Sequence, residues 1–135
     1  MYHYPKYVGG VLLLTLENYE ALNGMSNRYW GWGREDDEFH ARISDARLKI
    51  ERPTGLTTGY DTFKHIHDKE HRKRDYHRTK EQKTEQWKRD LETGYKNVAY
   101  KIEKVYKVHV DDKSEVTVVN AALECDLEKT KWCLP

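Results

Sequence analysis

The sequence predicts an α/β chain in which a few strands alternate with helices, not a helical bundle. Three observations predict it: an apolar run at residues 8–16, an acid-rich segment from Glu35 with apolar residues at helical spacing, and two alternating stretches near the C-terminus. Val8-Gly9-Gly10-Val11-Leu12-Leu13-Leu14-Thr15-Leu16 is apolar without alternation, so it reads as a buried strand. Its glycine pair bends the start or admits a second backbone or a ligand. Residues 18–22 read as one or two helical turns stopped by Asn23-Gly24. A second helix starts near Glu35, with Phe39, Ile43 and Leu48 on its apolar stripe and Glu35, Asp36, Asp37 and Glu38 where the macrodipole favours acids. Residues 48–51 read as a short strand stopped at Pro53, and 54–60, with two glycines, as loop. Residues 79–92 read as an exposed helix with Trp87 and Leu91 four apart on one face. The alternation of Tyr100, Ile102, Tyr106, Val108 and Val110, the turn residues Asp111-Asp112-Lys113-Ser114 and the stretch 116–123 predict a β-hairpin.

Length and composition bound the function. The 135 residues fit one ordinary domain, and 35% charged against 37% hydrophobic, with mean hydropathy −1.02, suits a small unit with much surface or part of a larger one. A net charge of +1 argues against bulk nucleic-acid or membrane binding. The apolar run at 8–16 is far too short to span a bilayer, and Tyr2-His3-Tyr4-Pro5 lacks the apolar centre of a signal peptide. The protein is therefore cytosolic, or its targeting segment lies outside this chain. Cys125 and Cys133 fit a short-loop disulfide in an oxidising compartment or two free thiols in the cytosol.

The densest chemical signal is Tyr29-Trp30-Gly31-Trp32-Gly33-Arg34-Glu35-Asp36-Asp37-Glu38-Phe39. Glycine allows tight turns and close approach, so the indoles can stand beside a ligand. An aromatic plate suits a sugar, and an indole N–H donates to a hydroxyl or phosphate. Acids in a first turn ordinarily only complement the helix dipole, but crowded carboxylates raise one another's pKa and suit general-base work. His65-Ile66-His67 places two imidazoles on one face of an extended segment, where with a further carboxylate (Asp61 or Asp68) they can chelate Mn²⁺ or Zn²⁺. As a bare pair they are more often bystander histidines. Arg72, Lys73, Arg74, Arg78 and Lys80 form a basic stretch that neutralises a diphosphate or polyanionic glycan, or is simply solvated surface.

These residues resemble the β-1,4-galactosyltransferase family: Trp30 to Glu38 (WGWGREDDE) is similar to its Trp-Gly-Trp-Gly-x-Glu-Asp-Asp motif, and Asn23-Gly24-Met25-Ser26-Asn27 to the segment before it. Tyr2-His3-Tyr4, Arg34, the His-x-His pair and Arg72-Lys73-Arg74-Asp75 resemble the branch that adds galactose to xylose in the proteoglycan linker. Cys125-Asp126 and Trp132-Cys133 also match that branch, which implies a disulfide and a secretory compartment. The resemblance covers nearly the whole chain.

It implies a GT-A fold, of which this chain is the C-terminal half, and an inverting, Mn²⁺-dependent transfer from UDP-galactose to xylosylated proteoglycan core protein in the Golgi apparatus. It implies Asp36 as general base; Tyr2, Tyr4, Trp32 and Asp37 as acceptor-binding; Trp32, Glu35 and Arg78 as donor-binding; and His65 and His67 as metal ligands. The family's Asp-x-Asp motif, nucleotide-binding half and membrane anchor are not found in residues 1–135. The chain is therefore expected to be an acceptor- and metal-binding region, inactive alone and making no membrane contact itself. The competing expectations are a non-catalytic remnant that holds xylosides and, more remotely, a structural metal site at His65 and His67.

Overall fold

The computed structural model describes residues 4–55, 70 and 79–133. Helix α1 spans Leu16–Ala21, and the Thr15 hydroxyl caps it by accepting from the Asn18 N–H at 3.3 Å. It stops where the chain turns left-handed at Asn23 (φ 57°) and Gly24 (φ 60°) and the Gly24 N–H returns to the Tyr19 carbonyl at 2.8 Å. Helix α2 spans Glu35–Asp45 with all four expected acids in its first turn. Helix α3 spans Lys80–Glu85, with the Thr79 hydroxyl accepting from the Gln82 N–H at 3.1 Å. Strands β1 (Tyr100–His109) and β2 (Glu115–Leu123) pair antiparallel from Tyr100↔Leu123 to His109↔Glu115, with a bulge between Ile102 and Lys104. Asp111 closes their turn: its Oδ1 accepts from the N–H groups of Lys113 and Ser114 at 2.8 and 2.7 Å.

Three expected elements differ. Residues 8–16 form no strand. Val8 is buried, but Val11 and Leu13 are 90% and 91% exposed before α1 begins. A strand takes its backbone bonds from a neighbour, and among the described residues no ladder forms beside this run. Residues 48–51 likewise form no strand, although Leu48 and Ile50 pack on the core. The helix expected over 79–92 ends at Glu85: the N–H groups of Trp87 and Lys88 bond to the Thr84 and Glu85 carbonyls in a tighter turn. Trp87 and Leu91 therefore lie beyond the helix and do not share a helical face.

The hairpin is open on both sides, since Ile102, Val105, Tyr106, Val116 and Val119 are all exposed and the strands contact mainly one another. The apolar core is small: Val8, Leu22, Phe39 and Ile43, flanked by Tyr19, Leu48 and Ile50. Phe39 and Ile43 are the stripe predicted for α2, and Leu48 joins them from just past the helix.

Polar groups carry the rest of the interior. Arg42, buried on α2, donates through Nε to both Glu38 carboxylate oxygens (3.0 and 2.9 Å). Its Nη1 reaches the carbonyls of Asn23 and Gly24, both at 3.1 Å, and its Nη2 those of Asp90 and Thr93 at 2.9 and 2.8 Å. Every guanidinium N–H thus has a partner. Asp90 in turn accepts from Ser26, from the Thr93 hydroxyl and from the N–H groups of Glu92 and Thr93.

Burial pushes the Asp90 carboxyl up, but the bonds from Ser26, Thr93 and Glu92 outweigh it and hold the acid below its ordinary value of 3.8. A carboxyl depressed by folding adds stability above its unfolded value and loses it as the pH falls through the folded one. Thermal melting against pH should therefore show this contribution intact above about pH 4 and declining in stronger acid, and Asp90→Asn should remove that part of the acid-side slope.

Candidate active site

The loop between α1 and α2 is shaped by left-handed backbone at Gly31 (φ 74°), Gly33 (φ 124°) and Arg34 (φ 71°). Positive φ is uncommon outside glycine, and at Arg34, the N-cap of α2, it sends the chain into the helix. The loop is tied to the α3 region on the other side. Gln82 Nε2 donates to the Trp30 carbonyl at 2.7 Å, and Arg34 Nε donates to the Gln86 carbonyl at 3.1 Å. The Tyr29 hydroxyl donates to the same carbonyl at 3.4 Å, and burial, then the charge of Glu38, pushes that phenol up to about 12.

Between these elements lies a cavity of about 630 Å³, within the range of small-ligand sites. Tyr4, Trp32, Glu35, Asp36 and Asp37 line it, together with Tyr7, Gly9, Gly10, Arg34, Lys83 and Trp87. Its three acids are engaged differently. Glu35 Oε2 accepts from the Gly33 N–H at 3.2 Å and so braces the turn. Asp37 Oδ1 accepts from the Tyr4 hydroxyl at 2.7 Å while its Oδ2 stands 3.9 Å from Arg34 Nη1. Asp36 Oδ1 accepts the neighbouring Asp37 N–H at 2.9 Å. The bond to Asp37, then desolvation and the charges of Asp36 and Asp37, push the Tyr4 phenol up to about 12, so at neutral pH it is a fixed proton donor. Asp37 is thus committed to Tyr4 and Arg34, whereas Asp36, like Glu35, accepts a main-chain N–H.

Glycine matters at one point of the wall: a Cβ on Gly9 would stand 2.7–2.8 Å from the Tyr7 ring. The close approach read from the glycine pair is an approach of Tyr7.

The structure therefore brings Tyr4, Trp32, Glu35, Asp36 and Asp37 to one cavity. Tyr2, His65, His67 and Arg78 lie outside the described residues, as do Asp61, Asp68 and most of the basic stretch. Among the described residues no group of three His, Cys, Asp or Glu side chains could hold a metal ion. Cys125 and Cys133 are joined in a disulfide, and the adjoining Trp132 Nε1 donates to the Arg28 carbonyl at 3.1 Å, fastening the C-terminal loop behind the Trp-Gly segment. Sequence reasoning missed Tyr7, Lys83 and Trp87 as cavity residues. Helical periodicity assigned Trp87 to a solvent face, and no local pattern marks the turn that brings it to the rim.

A family model described as the N-terminal domain of galactosyltransferase matches residues 1–66. The chain is 50% identical to mouse β-1,4-galactosyltransferase 7 over 99% of its own length and 41% of the relative's. It is 49% identical to the xylosylprotein 4-β-galactosyltransferase of Caenorhabditis elegans, over 98% of this chain and 46% of the relative. A solved structure of a Drosophila β-1,4-galactosyltransferase 7 variant in complex with manganese, UDP-Gal and xylobiose superposes with TM-score 0.89 at 51% identity, over 98% of this chain and 56% of that one. Over nearly its whole length the chain is similar to β-1,4-galactosyltransferases. The expected α/β, GT-A-type architecture follows from that superposition; within it, the described part of this chain contributes three α-helices and one two-stranded sheet. The chain spans about two fifths of the length of the mouse and fruit-fly relatives.

Proposed function

We propose that residues 1–135 supply the acceptor- and metal-binding region of an inverting β-1,4-galactosyltransferase that moves galactose from UDP-galactose to the xylose of xylosylated proteoglycan core proteins. The observation that carries the reading is the convergence of Tyr4, Trp32, Asp36 and Asp37 on one cavity. It is supported by the relative that binds manganese, UDP-Gal and xylobiose at 51% identity.

Each residue has a physical task in this reading. Trp32, 40% exposed, offers a ring face against which C–H groups of a sugar can lie. Tyr4 and Arg34 hold the Asp37 carboxylate in place to receive acceptor hydroxyls. Asp36 takes the proton of the acceptor 4-hydroxyl as that oxygen bonds to the galactose anomeric carbon. The bond from that carbon to the diphosphate breaks on the opposite face, and its electron pair leaves with UDP. Attack opposite the leaving group inverts the anomeric centre, so one aligned base suffices. Mn²⁺, when bound, would neutralise charge on the departing diphosphate as a Lewis acid. His65 and His67 are the ligands this chain would contribute, and Glu35 and Arg78 would serve the donor. The Cys125–Cys133 disulfide supports a secretory setting, the Golgi lumen.

Asp36→Asn keeps the shape and removes the base. In a protein joining this chain to a nucleotide-binding half, transfer to a xyloside should fall by about 10²–10⁴ with UDP affinity unchanged. Transfer at the unmodified rate would remove Asp36 from the mechanism.

A further inference from the structure

The cavity wall that carries Tyr4 and Tyr7 is a β-turn: the Tyr7 N–H donates to the Tyr4 carbonyl at 3.0 Å across Pro5 and Lys6. Proline suits the second position of such a turn, because its fixed φ matches the backbone required there. The turn brings both rings to the cavity, with centroids 5.6 Å apart and planes inclined at 60°. A tight turn fixes its own shape but not its place in the molecule. Its place comes from bonds to other elements.

Such bonds come from both ends of α2. In its first turn, Asp37 accepts from the Tyr4 hydroxyl at 2.7 Å. From beyond its last turn Arg52 reaches back, and its Nη2 donates to the Pro5 carbonyl at 3.0 Å and to the Tyr7 carbonyl at 2.7 Å. One nitrogen thus serves two carbonyls of the same turn, and its charge makes each bond stronger than a neutral one. The stretch that bears Arg52 is itself anchored, since Leu48 and Ile50 pack on the core. Arg52 is exposed and does not line the cavity, so it acts there only through Tyr4 and Tyr7. An exposed arginine held in one geometry gives up rotamer freedom. What its two bonds fix is the position of the turn relative to α2, where Asp36 stands.

We propose that Arg52 is a positioning residue for the acceptor: it clasps the Tyr4–Tyr7 turn to the α2 unit and so fixes the tyrosine wall of the cavity against the proposed base, Asp36. That this wall meets the acceptor rests on the reading of the cavity given above; the clasp itself does not. Arg52 touches neither the sugar nor the transferred proton. Without it the turn keeps its own bond, but the Tyr4 hydroxyl meets Asp37 for only part of the time. An acceptor must then order the wall as it binds, so the loss falls on acceptor affinity. The loss expected for charge-assisted bonds at an exposed position is about 10-fold.

Two measurements on the full chain test it. The first needs no ligand: nuclear magnetic resonance of tyrosine labelled at the ring carbon that bears the hydroxyl, at neutral pH, with the Tyr4 signal identified by its loss in Tyr4→Phe. Asp37→Ala gives the Tyr4 signal with the bond to Asp37 broken. In Arg52→Met the Tyr4 signal should move from the parent position toward that reference. The second is calorimetric titration with methyl β-xyloside, which Arg52→Met should bind about 10-fold more weakly. Lys49→Met removes an exposed cation of the same stretch, one paired with Glu51, and should change neither readout. An unmoved Tyr4 signal in Arg52→Met overturns the inference, as does an equal movement in Lys49→Met. A moved signal with unchanged xyloside affinity overturns the bearing of the clasp on the acceptor. If the unmodified chain binds no xyloside, the acceptor reading of the cavity falls, and the Tyr4 signal still decides the clasp. The circular dichroism spectrum of Arg52→Met should match the parent because the residue is exposed, and Arg52→Ala takes its place if that variant does not fold.

Discussion

Arg42→Met should destabilise the chain by about 3–5 kcal/mol, enough to unfold much of it at room temperature. The substitution keeps an unbranched apolar stem and removes the charge and all the donors. Glu38 and Asp90 would lose the buried cation that faces them at 2.9 and 3.8 Å and keep only the approaches of Arg89 at 3.9 Å and Arg28 at 3.7 Å. Four main-chain carbonyls, on residues 23, 24, 90 and 93, would lose their donors at the same time. Arg42→Lys should recover only a small part of the loss, because an ammonium is a point charge and cannot span partners on three sides. Denaturant unfolding followed by far-ultraviolet circular dichroism measures both variants, and a midpoint shift worth under about 1 kcal/mol for Arg42→Met would show that this network does not hold the fold.

Gly94→Ala should be as severe, for a different reason. A Cβ at this position would stand 2.0 Å from the Asn23 carbonyl oxygen and 2.8 Å from Arg42 Nη1. Neither neighbour can yield: that carbonyl accepts the Tyr95 N–H at 2.7 Å and Arg42 at 3.1 Å, and Arg42 is held on every side. The 23–24 turn and the 93–95 segment must separate, with a loss of about 3 kcal/mol or more. The same unfolding measurement reads it. Gly55→Ala is the control, since a Cβ there meets nothing within 4 Å, and only its positive φ of 74° opposes the change.

Much of the candidate site was legible because it is local. WGWGREDDE carries its own turn, its own helix start and its own acids, so Trp32, Glu35, Asp36 and Asp37 converge whatever surrounds them. The hairpin was equally legible, because period-2 alternation and an Asx turn are local codes. What composition could not provide was partnership. Residues 8–16 have the apolar character of a central strand, yet strand formation depends on a neighbour, and none lies beside them among the described residues. Trp87 misled for a related reason: propensity carries a helix through residue 92, but Asp90 takes up the N–H groups of Glu92 and Thr93 and is drawn inward beneath Arg42. The Arg42–Glu38 spacing was visible as an ordinary helical pair. That it is buried, and fastens loops 48–51 positions away, is a tertiary fact with no local signature.

The hairpin also bears on how this polypeptide behaves when concentrated. Among the described residues neither margin of the two-stranded ribbon has a partner strand, so each is a row of amides and carbonyls able to accept one, and apolar side chains accompany them on both surfaces. Lys101 and Lys104 put like charges along one margin, Lys107 beside them being paired with Glu115, and the bulge at Ile102/Lys104 breaks its straightness. These features disfavour stacking of one molecule on the next, so shielding by salt or neutralisation of those lysines would open a path to fibrous self-association.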